Sequence, residues 1–348
     1  MASFEAIAPF ARPAMVLIAA LLAWNLNVTI LKAKLTIQGI VYLLFCNDKK
    51  WKNPDDPGLI LKSAEGVERK TVIFVRHGES TWNDTFNKGE RSVLVFVLFY
   101  LPNMLKALLY ESYLLLTGQI DSWFYDSPMS HYGLEQVQKL AGFLGKKPEG
   151  TDREVELLKI IRGDEGAPSS KLVSSNLRRA ISTVAGGFSE RLKRRPDDQV
   201  FVIPSLQEIS RNPDTLSLTP AHEKVTASWI EKEATDICNF QAIFDKRFDM
   251  SSHTGNKPLN TNGLKRMLEF GNYVFTVDED VVIAGGHSIW FRSFFRTFLP
   301  NDSNHPGKSR KVVNCGAVAF TLVKKGDGAD AMFAVDPGSV AVIYGGFS

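Results

Sequence analysis

The chain has 348 residues, enough for one large domain with appendages or for two smaller domains. Its 44% hydrophobic and 23% charged residues are typical of a globular protein and exclude a disordered or fibrous chain. Because its 41 basic and 38 acidic residues nearly balance, the sequence lacks the broad basic surface of a nucleic-acid-binding protein, and we expect no nucleic acid among its partners.

An apolar region opens the chain. Residues 14–31 form a run of eighteen positions without a charge, which is long enough to span a membrane. A helix that lies in the membrane interface or packs on the protein is the alternative, because Asn25, Asn27 and Thr29 make the second half less apolar. A second apolar run covers residues 35–46. The lysines that follow the first run favour a membrane-associated protein whose catalytic domain faces the cytoplasm; they are Lys32, Lys34, Lys49, Lys50 and Lys52.

Turn-forming residues at 53–58 divide the chain. They predict a membrane-associating N-terminal region and linker at 1–58 and a catalytic domain at 59–348. The second part contains short β-branched runs separated by stretches of helical length; the runs lie at 71–75, 171–175, 200–203, 281–286 and 317–323. This alternation predicts an α/β three-layer sandwich, with a central, mostly parallel sheet between layers of helices.

One further apolar segment interrupts the α/β pattern. Residues 92–117 contain only two charges, Lys106 and Glu111, and Pro102 is expected to prevent a single continuous helix. We predict an apolar insertion that either packs on the N-terminal region as additional core or enters a membrane as a hairpin or amphipathic helix.

Polar residues follow three of the predicted strands. Arg76 and His77 come directly after the first, residues 174–183 after the second, and His287 after the fourth. The carboxyl ends of strands in an open α/β sheet form the crevice where such folds bind ligands. Arginine binds phosphate through forked hydrogen bonds, and a neutral imidazole can attack phosphorus. The pattern therefore predicts a pocket for a dianion, and Gly78 is expected to let the backbone approach that anion.

Four segments in this order resemble the histidine phosphatase superfamily, also called the phosphoglycerate mutase-like family. They are Arg-His-Gly-Glu-Ser at 76–80, the Pro-x-Ser-x-x-Gly-x-x-Gln pattern at 128–136, Ser-x-Leu-x-Arg-Ala-x-x-Thr at 175–183, and Gly-His-Ser at 286–288. The resemblance extends from about residue 70 to the C-terminus.

The resemblance implies a role for each matching residue. His77 would be the nucleophile that becomes phosphorylated, with Arg76, Arg179 and a protonated His287 holding the phosphoryl group. Arg178 would be the exposed neighbour of Arg179. Glu208, in a Leu-x-Glu segment, would donate the proton to the leaving group, with Glu79 as the alternative acid. Substrate contacts are expected from Asn83, Ser288 and Arg211.

Two arginines and a histidine can stabilise a phosphoryl group without a metal ion, so we expect neither a metal nor a cofactor. Three widely spaced cysteines also offer no cysteine-built zinc site. His131, His222, His253 and His305 do not occupy defined positions of the motifs and are expected to be surface or structural residues.

The sequence predicts hydrolysis of a phosphomonoester by a metal-independent histidine phosphatase. Its substrate would be a phosphorylated small molecule, lipid or protein. A phosphoglycerate-type mutase is one alternative, although the residues after Glu208 differ from the mutase pattern. A non-catalytic phosphate-binding membrane scaffold is another, although such a protein would be expected to lose part of the set of Arg76, His77, Arg179 and His287.

Overall fold

The computed structural model describes residues 8–63, 65–89 and 91–348. Its N-terminal half comprises α1 Ala8–Trp24, α2 Leu26–Phe45, α3 Gly58–Leu61, β1 Val67–Arg76, α4 Thr81–Phe86, α5 Val93–Leu116, α6 His131–Gly145, α7 Asp152–Arg162 and β2 Ser170–Ser174. Its C-terminal half comprises α8 Arg178–Gly187, α9 Ser189–Arg194, β3 Val200–Val202, α10 Trp229–Glu233, α11 Phe240–Arg247, β4 Phe248–Asp249, α12 Gly263–Thr276, β5 Val281–Gly286, α13 Ser288–Phe298, β6 Ala317–Lys325, β7 Met332–Val335 and β8 Ala341–Tyr344.

A single mixed sheet forms the centre of the protein. The strand order is β4-β3-β2-β5-β1-β6-β7, and β8 also pairs with β6. The pairs among β4, β3, β2, β5 and β1 are parallel, whereas β6 runs antiparallel to β1, β7 and β8. The predicted mostly parallel sheet is therefore confirmed. The sequence pattern did not reveal β4, β7 and β8, which are only two to four residues long.

Alternating side chains of β1 enter two separate cores. Ile73 and Val75 pack in one core, which includes apolar residues of α6, α7, α8 and α11. Val72 and Phe74 face the other core, which includes apolar residues of α12 and α13. Because successive side chains of a strand point to opposite faces, this division places helices on both faces of the sheet. The predicted three-layer α/β sandwich is confirmed, and it is preceded by apolar N-terminal helices.

The N-terminal apolar region differs from the expectation of one helix over 14–31. The helix is interrupted at Asn25, whose side-chain amide donates a hydrogen bond of 2.8 Å to the Leu116 carbonyl at the end of α5. Such terminal carbonyls have no partner within their own helix. As a result α2, rather than the run at 14–31, is one of two helices within residues 8–63, 65–89 and 91–348 that are long and apolar enough to cross a membrane; the other is α5.

The expectation that Pro102 interrupts the apolar insertion is wrong, because α5 continues through it. Proline removes one backbone donor, and the remaining turns of this 24-residue helix still form. Only 6% of the apolar window of α5 is buried, so most of the helix is not core, although Ala107 and Leu114 are buried and Glu111 pairs with Lys32 of α2.

The segment after Glu208 connects the N-terminal region to the rest of the protein. Leu35, Tyr42 and Cys46 form a buried cluster with Leu216 and Leu218. α2 therefore packs on the catalytic part of the chain. The division into domains at residue 58 stays a prediction.

Candidate active site

The motif segments that follow β1, β2 and β5 meet at one edge of the sheet because these strands are neighbours. β5 lies between β2 and β1, with Gly285 opposite both Ser174 and Val75, and with Gly286 opposite Arg76. The residues that follow these strand ends are therefore brought together. All five residues predicted to be catalytic are buried; their exposed fractions are 9% for Arg76, 4% for His77, 2% for Arg179, 6% for Glu208 and 0% for His287.

His77 is oriented by its own turn of backbone. Its Nδ1 lies 2.5 Å from the Gly78 carbonyl oxygen, which can only accept a hydrogen bond, so Nδ1 carries the proton. The lone pair of the ring is consequently on Nε2. The pKa of His77 is lowered well below its usual value by burial and then by Arg179 and Arg76. A neutral imidazole with a free Nε2 lone pair is the form required for nucleophilic attack.

Gly78 has a different role from the one expected. A Cβ atom at this position would lie 2.8 Å from the Gly133 carbonyl oxygen, which is too close for any other residue. The Gly78 amide donates to Thr183 Oγ1 at 3.0 Å. Glycine is therefore needed because the α6 backbone lies so close to this position. The hydrogen bond from Gly78 to Thr183 also joins the first motif to the third.

His287 faces His77 across the site. The ring centroids are 5.0 Å apart, and His287 Nε2 forms a hydrogen bond of 2.8 Å with Ser175 Oγ. Burial, followed by Arg179 and His77, lowers the pKa of His287 well below its usual value. Burial and then the positive charge of Arg179 therefore favour the neutral imidazole of His287, and its protonation against a bound phosphoryl group stays a prediction.

The two predicted phosphate-binding arginines differ in their partners. Arg76 donates from Nη1 to the Val312 carbonyl at 2.6 Å, while its buried Nε has no partner among the described residues. Burial lowers the pKa of Arg76 to about 10, so it stays charged at neutral pH. Arg179 donates from Nη1 to the Asp214 carbonyl at 2.8 Å, and its Nη2 lies 3.3 Å from Asp214 Oδ2.

Arg178 is not the exposed neighbour that we expected. It is 3% exposed and forms an ion pair of 2.7 Å with Asp121, and its Nε donates to the Asp126 carbonyl at 3.0 Å. Arg178 and Arg179 begin α8, whose described residues are all buried. Arg178 is therefore buried together with Arg179, the neighbour to which the resemblance assigns the phosphate contact.

Asp214 is a site residue that the sequence did not reveal. Its Oδ1 is buried and without a partner among the described residues, and burial raises the pKa of the carboxyl to about 6. A buried carboxyl group with a raised pKa beside an arginine is typical of functional sites. No local motif marks Asp214, because its importance comes from its contact with Arg179, 35 positions earlier in the chain.

The Glu208 carboxylate lies at the N-terminus of α13. Oε1 accepts hydrogen bonds of 2.8 Å from the backbone amides of both Ile209 and Trp290, and Oε2 accepts one of 3.2 Å from Ile289. These amides favour a negative charge at the helix terminus. Glu208 is thus held directly beside the helix that begins after His287.

The expected substrate-contacting residues differ in their surroundings. Ser288 is buried in the first turn of α13. Arg211 is partly buried, and its Nε has no partner among the described residues. The Oδ1 of Asn83, which lies on α4, accepts a hydrogen bond of 2.8 Å from Asn87, the residue just after this helix. The alternative acid Glu79 accepts from Ser130 Oγ at 3.0 Å.

A buried charged cluster supports the Glu208 segment. Lys257 Nζ donates to the carbonyl oxygens of Glu208 at 2.6 Å and of Ser210 at 2.7 Å. Both Lys257 and Arg266 contact the Asp48 carboxylate, which also accepts from the Ser210 amide at 2.9 Å. The sequence did not reveal this cluster, because Asp48 is more than 200 positions from both Lys257 and Arg266.

No group of three or more His, Cys, Asp or Glu side chains is arranged to hold a metal ion within residues 8–63, 65–89 and 91–348. Among the other histidines, His131 and His222 are exposed. His253 is buried, with Nε2 3.0 Å from the Thr219 carbonyl. His305 is half-buried, and its Nδ1 accepts from the Gly307 amide. These positions agree with surface and structural roles.

Comparison with known proteins finds similar solved structures. A mycobacterial glucosyl-3-phosphoglycerate phosphatase is 13% identical, with a TM-score of 0.34 and coverage of 77% of this chain and 97% of that chain. An ecdysone phosphate phosphatase from Bombix mori in complex with tungstate is 14% identical, with a TM-score of 0.33 and coverage of 77% and 93%. A phosphoserine phosphatase from Entamoeba histolytica in complex with 3-phosphoglyceric acid is 13% identical, with a TM-score of 0.30 and coverage of 72% and 89%.

At such low identities and TM-scores, these structures do not indicate what this chain binds or hydrolyses. No family model and no curated protein matches the sequence.

Proposed function

We propose that this chain is a histidine phosphatase, a member of the superfamily to which the similar solved structures belong, and that it hydrolyses phosphomonoesters without a metal ion. The observation that carries the proposal is the state of His77. Its imidazole is neutral, its Nδ1 donates to the Gly78 carbonyl, and its Nε2 is left as the nucleophile beside two buried arginines.

The proposed reaction has two steps. In the first, His77 Nε2 attacks phosphorus and forms an N–P bond while the ester P–O bond breaks, and the leaving oxygen takes a proton from Glu208. In the second, water attacks phosphohistidine, the N–P bond breaks, and the Glu208 carboxylate takes the proton that water loses. Arg76 and Arg179 stabilise the charge on the phosphoryl oxygens in both transition states.

Two carboxyl groups compete for the role of proton donor. The motif assigns it to Glu208, whose carboxylate accepts three backbone hydrogen bonds. Asp214 has an unpartnered oxygen and a pKa raised to about 6 by burial, which makes it the competing candidate. We retain Glu208 as the donor and assign Asp214 the role of orienting Arg179.

Membrane association is the second part of the proposal. The exposed surfaces of α2 and α5 carry large apolar side chains, and both helices have sufficient length and hydropathy to cross a membrane. An apolar surface of this size needs a partner that excludes water, and a bilayer provides one. We place the catalytic domain on the cytoplasmic side, as the lysines after the first apolar run favour.

The substrate is proposed to be a phosphorylated small molecule, lipid or protein. Ser288 and Arg211 are proposed to contact it, since one begins α13 and the other has a buried Nε without a described partner. Asn83 is proposed as a further phosphate ligand: its Oδ1 accepts from Asn87, and its Nδ2 could donate to a phosphate oxygen.

The His77→Ala variant tests the mechanism. We expect release of phosphate from p-nitrophenyl phosphate to fall by at least about a thousandfold, because no other group replaces the nucleophile. Mass spectrometry of the wild-type chain after brief mixing should detect acid-labile phosphate on His77. The matched control is His131→Ala, at an exposed position, which should retain activity.

Substantial turnover by His77→Ala would contradict the proposal. Phosphate binding with neither adduct nor turnover would support the scaffold alternative. A stable adduct that is passed to a phosphorylated acceptor would support the mutase alternative.

A further inference from the structure

A basic cavity of about 460 Å³ lies next to the Glu208 segment. Its lining residues come from the chain after α2, from the segment after Glu208 and from α13. They are Lys49, Trp51, Asn53, Ile209, Ile289, Arg292, Ser293 and Arg296. We call this space the basic cavity.

Three cations and no carboxylate line the basic cavity. Arg292 and Arg296 are four positions apart on α13, so their side chains lie on the same face of the helix, and Lys49 approaches from the segment after α2. Within the described part of the chain, none of the three forms an ion pair or donates a side-chain hydrogen bond. Other arginines of this protein, such as Arg178 and Arg191, are paired with acids. The cavity therefore has an uncompensated positive charge.

The basic cavity lies next to the candidate active site. The amides of Ile209 and Ile289 donate to the Glu208 carboxylate, while both residues also line the cavity. Lys311, which is half-buried, connects the two charge groups. Its pKa is lowered by burial and then by Arg76 and Arg292, so it lies close to an arginine of each site.

The wall is built from a rigid part of the structure. Asp48, the residue before Lys49, is held by Lys257 and Arg266, and its carbonyl accepts from the Gly263 amide at 2.9 Å. Arg292 and Arg296 are on a helix whose apolar side is packed in the core. The backbone positions from which the three cations extend are therefore fixed by the fold, which limits the conformational entropy lost when a ligand binds.

We propose that the basic cavity is a subsite for a second anionic group, a phosphate or a carboxylate, of the same substrate whose phosphate is attacked by His77. This inference rests on the proposed function and makes it more specific, because it selects substrates that carry two anions. Arginine is well suited to the task, since its planar donors bind phosphate or carboxylate oxygens in pairs. The other source of the same chemistry is the headgroup of an anionic lipid.

The test compares substrates with one and two anions. Wild-type chain in detergent is assayed on α,ω-alkanediol bisphosphates of increasing length and on alkyl monophosphates of the same length. We expect kcat/KM to favour bisphosphates above a threshold length. In the double variant Arg292→Gln/Arg296→Gln, the ratio of kcat/KM for bisphosphate to that for monophosphate should fall about tenfold, the effect of losing roughly 1.4 kcal/mol of binding.

The matched control is Lys146→Gln/Lys147→Gln, which removes the same charge from exposed positions after α6. This control should leave the ratio unchanged. No preference of the wild type for bisphosphates, or an equal fall of the ratio in the control, would overturn the proposal.

A binding measurement separates this proposal from the proposed function. Calorimetry on His77→Ala with butanediol bisphosphate and butyl phosphate needs no turnover. We expect the bisphosphate to bind more tightly than the monophosphate, and we expect this difference to disappear when Arg292→Gln/Arg296→Gln is added. That result would support the subsite even if the wild type hydrolyses neither compound. Flotation of the wild type and of Arg292→Gln/Arg296→Gln with phosphatidylserine or phosphatidylcholine vesicles tests the lipid source. If the double variant loses binding to phosphatidylserine vesicles only and keeps the wild-type preference for bisphosphates, the substrate subsite is overturned.

Discussion

Arg178 and Arg179 are adjacent in the chain, yet each is held by a different set of acidic residues. Arg178 pairs with Asp121 and contacts Asp126, whereas Arg179 pairs with Asp214. Buried charges of this kind need partners, because an unpaired buried charge is costly. The partner of Arg179 therefore belongs to the site as much as the arginine does.

The roles of Glu208 and Asp214 can be separated by the leaving group. A nitrophenolate leaves without protonation, whereas an alkoxide needs a proton donor. We expect Glu208→Gln to lower kcat for an alkyl phosphate about a hundredfold more than for p-nitrophenyl phosphate. Asp214→Asn, the matched carboxamide variant, should lower both to the same extent, because it alters the orientation of Arg179. Steady-state kinetics on both substrates provide the measurement.

The reverse pattern would assign the proton to Asp214. In that case kcat for the alkyl ester would fall as the pH rises through about 6, because the pKa of Asp214, raised to about 6 by burial, marks the loss of the protonated form. The same fall would be absent in Asp214→Asn.

At the scale of secondary-structure elements, α2 and the residues just after it are joined to the segment that follows Glu208 by apolar and charged contacts. Its apolar face packs on Leu216 and Leu218. Asp48, just after its end, binds the two cations that hold the Glu208 segment. The N-terminal region is thus a structural support of the site as well as a candidate membrane anchor.

Asp48→Asn tests this support. The change leaves Lys257 and Arg266 buried without their carboxylate, so we expect the free energy of unfolding to fall by about 3–5 kcal/mol. Chemical denaturation in detergent measures the loss. The control Asp55→Asn alters an exposed carboxylate of the same linker and should change stability by less than about 0.5 kcal/mol. An equal effect of the two variants would contradict a supporting role for Asp48.

At the scale of the whole molecule, α5 is less buried in the protein than α2 is. Lys32 on α2 forms an ion pair of 2.7 Å with Glu111 on α5, and Glu111 also accepts from the Trp123 amide at 2.8 Å. The rest of α5 is largely exposed. α5 is therefore held by this ion pair near its C-terminal end and by the ring contact of Tyr100 with Phe86, while its remaining apolar surface is available for a bilayer.

We expect charges on α5 to weaken membrane binding. Leu98→Arg/Leu105→Arg replaces side chains that are 63% and 57% exposed, and each charge within a spanning helix costs about 2.5–3.5 kcal/mol. The fraction bound to vesicles in flotation should fall at least tenfold. Met332→Arg/Val342→Arg places the same charges at exposed apolar positions of β7 and β8 and should have little effect. Equal vesicle binding by both double variants would contradict insertion of α5.

The local pattern of the sequence determined much of this protein. Alternation of β-branched runs and helical stretches predicted the α/β sandwich, because side-chain periodicity reflects which face of an element is buried. Motifs that directly follow strands predicted that Arg76, His77, Arg179 and His287 would meet, because the ends of neighbouring parallel strands lie at one edge of a sheet.

Only the tertiary structure decided which residues surround that set. Asp214, Asp48 and Lys257 acquire their roles through contacts with residues that are distant in the chain, and no local pattern encodes such contacts. The lowered pKa of His287 and the burial of Arg178 follow from the packing and then from the charges at the site. The interruption at Asn25 likewise involves a hydrogen bond to Leu116 that forms only when the chain is folded.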